Sequence, residues 1–203
     1  MRTMLWAYPW DVAGEGAASL ADNVRRAGAS GVSLAAAYHS GLLVTPRHPR
    51  HRVYFPEPGA VYFALSPTVR RRLPFAPRMS RLLETGDPLR ALTQEAERRD
   101  LVVRAWFVCN HSTYLGAMHP DVAVQNAYGD VLVFALCPAN ERVQDYLAAL
   151  LGDLTTNYAV EAVDLESVGF LGLPHGFHHE KDLAGLNPET AFLLSLCFCR
   201  ACT

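Results

Sequence analysis

A chain of 203 residues is long enough for one ordinary domain, 1–203, or for a part of a larger one. Half of its residues are hydrophobic and 19% are charged, so it can bury a sizeable core and is not a disordered chain. Its formal charge of −2 removes any compositional case for nucleic acid or an anionic membrane as partner.

The N-terminus MRTMLWAYPWD reaches Pro9 and Asp11 too soon for a secretory leader. Within it Thr3–Tyr8 is apolar, rich in aromatics and closed by Pro9, which predicts a buried strand. Ala17–Ala27 places Leu20, Val24 and Ala27 at helical spacing, and Gly28 follows where a left-handed cap is commonest. Gly31–Tyr38 predicts a second strand. A long Arg- and Pro-rich link, Ser40–Gly86, reads as an ordered surface insertion with a solvated basic face. Pro88–Arg99 predicts a helix with Asp87 as its N-cap and Pro88 at its first position. Leu101–Cys109 is a nearly continuous apolar strand, and Asn140–Tyr158 a long helix with Val143, Leu147, Leu150, Leu151 and Leu154 on one stripe. Val160–Leu165 predicts a fourth strand and Pro188–Leu196 a last helix. No run of about 18 apolar residues exists, so no spanning helix is expected. The odd number of cysteines, with Cys197, Cys199 and Cys202 crowded at the end, argues for reduced thiols and a cytoplasmic protein.

Strands alternating with helices predict an α/β fold of parallel (β/α) units. Helix-to-strand links are short, whereas the strand-to-helix links Ser40–Gly86, Asn110–Ala139 and Ser167–Asn187 are long. Elaboration beyond the carboxyl ends of the strands is where barrels and open doubly wound sheets both put their sites. Neither a dinucleotide fingerprint nor a phosphate-binding loop follows the first strand. The expectation is therefore a partial or truncated (β/α)₈ barrel of about four strands with long βα loops, incomplete at its C-terminus. Open sheet edges would then favour a homo-oligomer.

Candidate chemistry collects at those carboxyl ends. Alternation puts Asp164 and Glu166 on one face of the fourth strand, Glu166 at its tip, a setting for a general acid with Asp164 tuning it. The alternative for Asp164 is an ion pair with Arg104. The loop Leu173–Lys181 carries His175, His178, His179 and Glu180, which suit either substrate contacts or a divalent metal. Asn110 and His111 after the third strand, Tyr38 and His39 after the second, and Tyr8, Trp10 and Asp11 after the first complete the set of substrate contacts. Aromatic rings at such a mouth suit stacking on sugar faces. No cofactor is required; zinc is conceivable at the histidine loop or at Cys197, Cys199 and Cys202, where a histidine, Cys109 or Cys137 would have to supply a fourth ligand.

The stretch LCPANERVQDYLAALLGDLTTNYAVEAVDLESVGF (136–170), with the HGFHHEK and CFCRAC segments, resembles bacterial glycoside-hydrolase-like TIM-barrel proteins in their N-terminal half. The resemblance implies a barrel and matches Glu166 to the strand-four acid/base of many barrel glycosidases. It points to a carbohydrate-active hydrolase acting on a carbohydrate or other polar small molecule, with Asp11 or Glu180 as in-chain candidates for a second carboxylate. The competing readings are a degenerate barrel that binds glycans without turnover and a metal-dependent hydrolase using His175, His178, His179 and Glu180.

Overall fold

The computed structural model describes residues 2–175 and 185–203. Four strands run parallel and side by side: β1 (Met4–Ala7), β2 (Gly31–Tyr38), β7 (Val102–Val108) and β10 (Ala162–Glu166). Between β2 and β7 the chain also forms β3 (Leu43–Val44), β4 (Val53–Tyr54), β5 (Ala60–Val61) and β6 (Arg78–Met79). Strand β5 pairs antiparallel with the end of β2, joining Ala37 to Val61 and Tyr38 to Ala60, and β6 pairs with β5. The result is a mainly parallel six-stranded sheet. Among the described residues it does not close into a barrel. An antiparallel strand occupies one flank, and β10 has a strand partner on one side only.

Helices cover one face. Those that do are α1 (Pro9–Glu15), α2 (Ala17–Arg26), α4 (Pro88–Glu97), α5 (Thr113–Met118) and α6 (Glu141–Asn157), while α3 (Pro67–Arg72) and α7 (Pro188–Ser195) bury none of their own residues. The alternation of the strands decides which side chains meet them. Val32, Leu34 and Ala36 of β2 and Val103, Ala105 and Phe107 of β7 pack with Leu20 and Val24 of α2, Leu89 and Leu92 of α4, and Leu150 and Leu154 of α6. Asp87 caps α4 by accepting the N–H of Arg90, and Asn140 caps α6 by accepting that of Arg142. Gly31 allows β2 to approach β7: a Cβ there would collide with the Val102 carbonyl.

Pro9, which closes the Thr3–Tyr8 run, also starts helix α1. Two expectations change. The Ser40–Gly86 link is more than a surface insertion, since it contributes Tyr62, Phe63 and Phe75 to buried clusters. Its His48 is buried too, with Nε2 donating to the Trp10 carbonyl at 3.0 Å and Nδ1 accepting the N–H of His51 at 2.9 Å. The Asn110–Ala139 link holds α5 and a hairpin of β8 (Ala123–Gln125) with β9 (Val131–Leu136). The hairpin continues from the end of β7, where the N–H of Leu136 donates to the Asn110 carbonyl at 2.8 Å.

Candidate active site

The face of the sheet opposite the helices is lined by alternate residues of the parallel strands. Ser33, Arg104 and Asp164 lie toward its amino end, and Tyr8, Tyr38, Trp106 and Glu166 toward its carboxyl end. Pairing of β10 with β7 sets Asp164 beside Trp106 and Glu166 beside Val108. Trp106 therefore lies diagonally across from Glu166, and its Nε1–H donates to Glu166 Oε2 at 2.6 Å. The other carboxylate oxygen, Oε1, has no protein donor among the described residues, and Glu166 is half-buried. The indole thus fixes the orientation of the carboxylate while leaving one oxygen for a ligand.

Further rings pack around the indole that holds this carboxylate. Trp106 meets Trp6 edge-on at 4.4 Å between centroids, Tyr38 at 5.2 Å and Tyr8 at 5.6 Å. Burial, a hydrogen bond with Tyr8 and the negative charge of Glu166 together push the Tyr38 phenol well above the usual tyrosine range. It stays a neutral hydroxyl beside the carboxylate. From Tyr38 the wall continues through imidazoles: His39 stacks on Tyr38 at 4.5 Å and on His111 at 4.2 Å. His111 Nδ1 lies 3.1 Å from His175 Nε2. The carboxyl ends of β2 and β10 and the loops after β2, β7 and β10 thereby place Tyr38, His39, His111, Glu166 and His175 at one rim. A cavity of about 840 Å³, lined in part by His175, Phe170, Phe192 and Phe198, opens beside the histidine row.

Other expected site residues are placed differently. Asp164 accepts from Arg104 at 3.0 Å and from the Ser33 hydroxyl at 2.7 Å, an ion pair within the sheet. Asp11 accepts the N–H of Tyr8 at 2.9 Å and so caps α1. Burial raises its carboxyl above the usual range, against the lowering effects of that N–H and of His48. Trp10 is 2% exposed and lies under Tyr8, stacked at 4.5 Å, inside the core. Asn110 is buried and ties strand ends together, its Nδ2 donating to the Val168 carbonyl at 2.7 Å. His178, His179 and Glu180 lie outside the described residues. Among the described residues, the group of His, Cys, Asp or Glu side chains close enough to share a metal ion is Cys137, Cys197, Cys199 and Cys202, of which Cys197 and Cys202 line the same cavity as His175.

Sequence reasoning did not single out Trp106, which orients Glu166. The signal was there: in LVVRAWFVC, Arg104 and Trp106 alternate with Val103 and Ala105, so both turn away from the helices.

No protein family model and no curated protein matches the sequence. Solved structures do. A hypothetical protein from Ruminiclostridium thermocellum ATCC 27405 superposes with a TM-score of 0.56 at 15% identity, over 80% of this chain and 75% of that one. Alpha-L-fucosidase isoenzyme 2 from Paenibacillus thiaminolyticus superposes with a TM-score of 0.58 at 11% identity. All of this chain aligns there, but it spans only 25% of the fucosidase chain. A glycoside hydrolase 29 family member from an unknown rumen bacterium aligns more loosely, with a TM-score of 0.42. At these identities the likeness concerns the fold.

Proposed function

We propose that the chain carries a glycosidase-like site, in the N-terminal part of a barrel, with Glu166 as its working carboxylate. The observation that carries this reading is the half-committed carboxylate: Oε2 is held by Trp106, Oε1 has no donor among the described residues, and the indole that holds it packs against Tyr38 and Tyr8. Sugars present C–H faces that stack on such rings and hydroxyls that bond to imidazole and phenol groups. Protonated at Oε1, Glu166 would donate to the glycosidic oxygen as the bond breaks. As a carboxylate it would then draw a proton from water. Tyr38, His39, His111 and His175 would orient the sugar hydroxyls. Similarity of fold to a fucosidase agrees with the placement of a carboxylate at a strand end.

Glycoside hydrolysis needs a second carboxyl group, about 5–5.5 Å away for retention or about 6.5–9.5 Å for inversion. Asp11 and Asp164 are committed to a helix cap and an ion pair. In this proposal the partner is Glu180 or a group from outside this chain. That commitment also favours a second reading, a glycan-binding mouth without turnover. A panel of nitrophenyl glycosides, the α-L-fucoside among them, tests the first. Glu166→Gln should lower hydrolysis by about 10²–10⁴-fold with an unchanged melting temperature. Undiminished turnover in that variant would move the chemistry elsewhere. Saturable glycan binding by the native chain with no hydrolysis would establish the second reading instead.

A further inference from the structure

Four thiols from two distant parts of the chain converge. Cys137 follows β9, and Cys197, Cys199 and Cys202 follow α7. Cys137 Sγ lies 3.5 Å from the sulfur of Cys202, 3.6 Å from that of Cys199 and 3.8 Å from that of Cys197. All four sulfurs fall within 4.8 Å of one another. A disulfide would bring a pair to about 2.05 Å, and the thiols are all free. A tetrahedral zinc tetrathiolate with Zn–S bonds of about 2.3 Å has sulfur–sulfur edges of about 3.8 Å. The distances to Cys137 match those edges.

Cys137 and Cys199 are buried with Val124, Phe134 and Leu171, while Cys202 is exposed and leaves a way in for an ion. Apolar burial gives the segment little support, because helix α7 buries none of its residues. The C-terminal turn is attached through Phe198, whose N–H donates to the Gln125 carbonyl at 2.7 Å, and through the sulfurs.

We propose that Cys137, Cys197, Cys199 and Cys202 bind one zinc ion, a closed structural site that fastens the C-terminal segment to the β8–β9 hairpin. Binding releases the thiol protons to solvent and involves no oxidation. Through Leu171, which packs in the same cluster, and through Leu173, whose N–H donates to Ser195 Oγ at 2.9 Å, the ion would also steady the turn that carries His175.

Elemental analysis of the whole chain, purified in reductant with no added metal, should find one zinc per chain. Cobalt(II) exchanged into it should give the sulfur charge-transfer and tetrahedral bands of a tetrathiolate. Cys137→Ser and Cys199→Ser should lose the metal, while Cys109→Ala, a buried cysteine outside the cluster, should keep it. If the buried variants do not fold, the exposed Cys202→Ser and the cobalt spectrum of the native chain still decide. Metal-free protein whose melting temperature is unmoved by zinc or chelator would overturn the proposal. So would bound iron, or a disulfide within the cluster.

Discussion

Strands β7 and β10 share a ladder but are built on different terms. The central strands are buried: β2 from Gly31 to Ala37, and β7 at Val103 and from Ala105 to Val108. No residue of β10 is fully buried. Leu34 of β2 is wholly inaccessible, and Leu165 of β10 is 51% exposed. Helices cover one face of the central strands and aromatic rings the other. Val163 still reaches the core, but two residues further along β10 that cover has run out. Polar ties hold the edge strand instead: Asp164 to Arg104 and Ser33, Glu166 to Trp106, and Asn110 to the chain just after β10. The strand that brings the candidate carboxylate is therefore fixed by directional bonds, which orient a side chain more tightly than apolar burial does.

The widest separation between the buried central strands and β10 should come from the same truncation made in β2 and in β10. Leu34→Ala should cost about 2–5 kcal/mol, because it opens a cavity in a packed interior. Leu165→Ala, half in water already, should cost less than about 1 kcal/mol. Urea unfolding of both variants measures this directly. Equal costs would mean that β10 is covered in solution and that the contrast is absent.

Asn110→Ala should come next, at about 1–2 kcal/mol. It leaves the Val168 carbonyl without its side-chain donor and removes the bond from the end of β7 to the chain after β10. Hydrogen exchange should accelerate around residues 167–175 and stay unchanged in β2. Uniform acceleration across the sheet would make Asn110 a core residue rather than a tie. Asp164→Asn should have a smaller effect, on the order of 1 kcal/mol, since the pair with Arg104 is partly open to solvent. Measured against Arg104→Gln in a double-mutant cycle, a coupling near zero would remove the ion pair from the account of how β10 is held.

The same contrast explains what could be read from the amino-acid sequence. The buried strands and their helices announce themselves through apolar runs, Asp87 and Asn140 as caps, and Gly28 as a stop. The parallel strands and their carboxyl-end elaboration follow from the link lengths. The antiparallel β5 and the β8–β9 hairpin do not, because two- and three-residue strands leave no periodic trace. At the candidate site, the nearness of Glu166, Tyr38, His39 and His111 to one rim follows from their place at or just after strand ends. The pair of Asp164 with Arg104 was one of the two readings open for it, but the commitments of Asp11 and Asn110 were not legible, since they depend on the Tyr8 N–H and the Val168 carbonyl, which only the fold selects. Trp106 and the convergence of Cys137 with the C-terminal thiols likewise depend on register and long-range contact.

The mildest probe of the contrast is pH, because the covered side holds a carboxylate of opposite behaviour to those at the surface. Burial, partly offset by the Tyr8 N–H and by His48, raises the Asp11 carboxyl above its unfolded value. The folded chain then binds that proton more tightly than the unfolded chain does. Asp11 accordingly contributes stability that is complete below the ordinary carboxylate range and is lost as pH rises through its higher folded value. Asp22, lowered chiefly by its hydrogen bond from Arg99, has the reverse sign, and its contribution fades as pH falls. The difference in unfolding free energy between wild type and Asp11→Asn isolates the first effect. Asparagine keeps an oxygen for the Tyr8 N–H but cannot ionise. Relative to that variant, wild type should weaken as pH climbs through the window just above the ordinary carboxylate range, then hold a constant difference. Carbon-detected NMR should show the Asp11 carboxyl titrating later than Asp22. A difference independent of pH, or Asp11 titrating first, would show that its burial costs nothing and that α1 does not seal this end of the sheet.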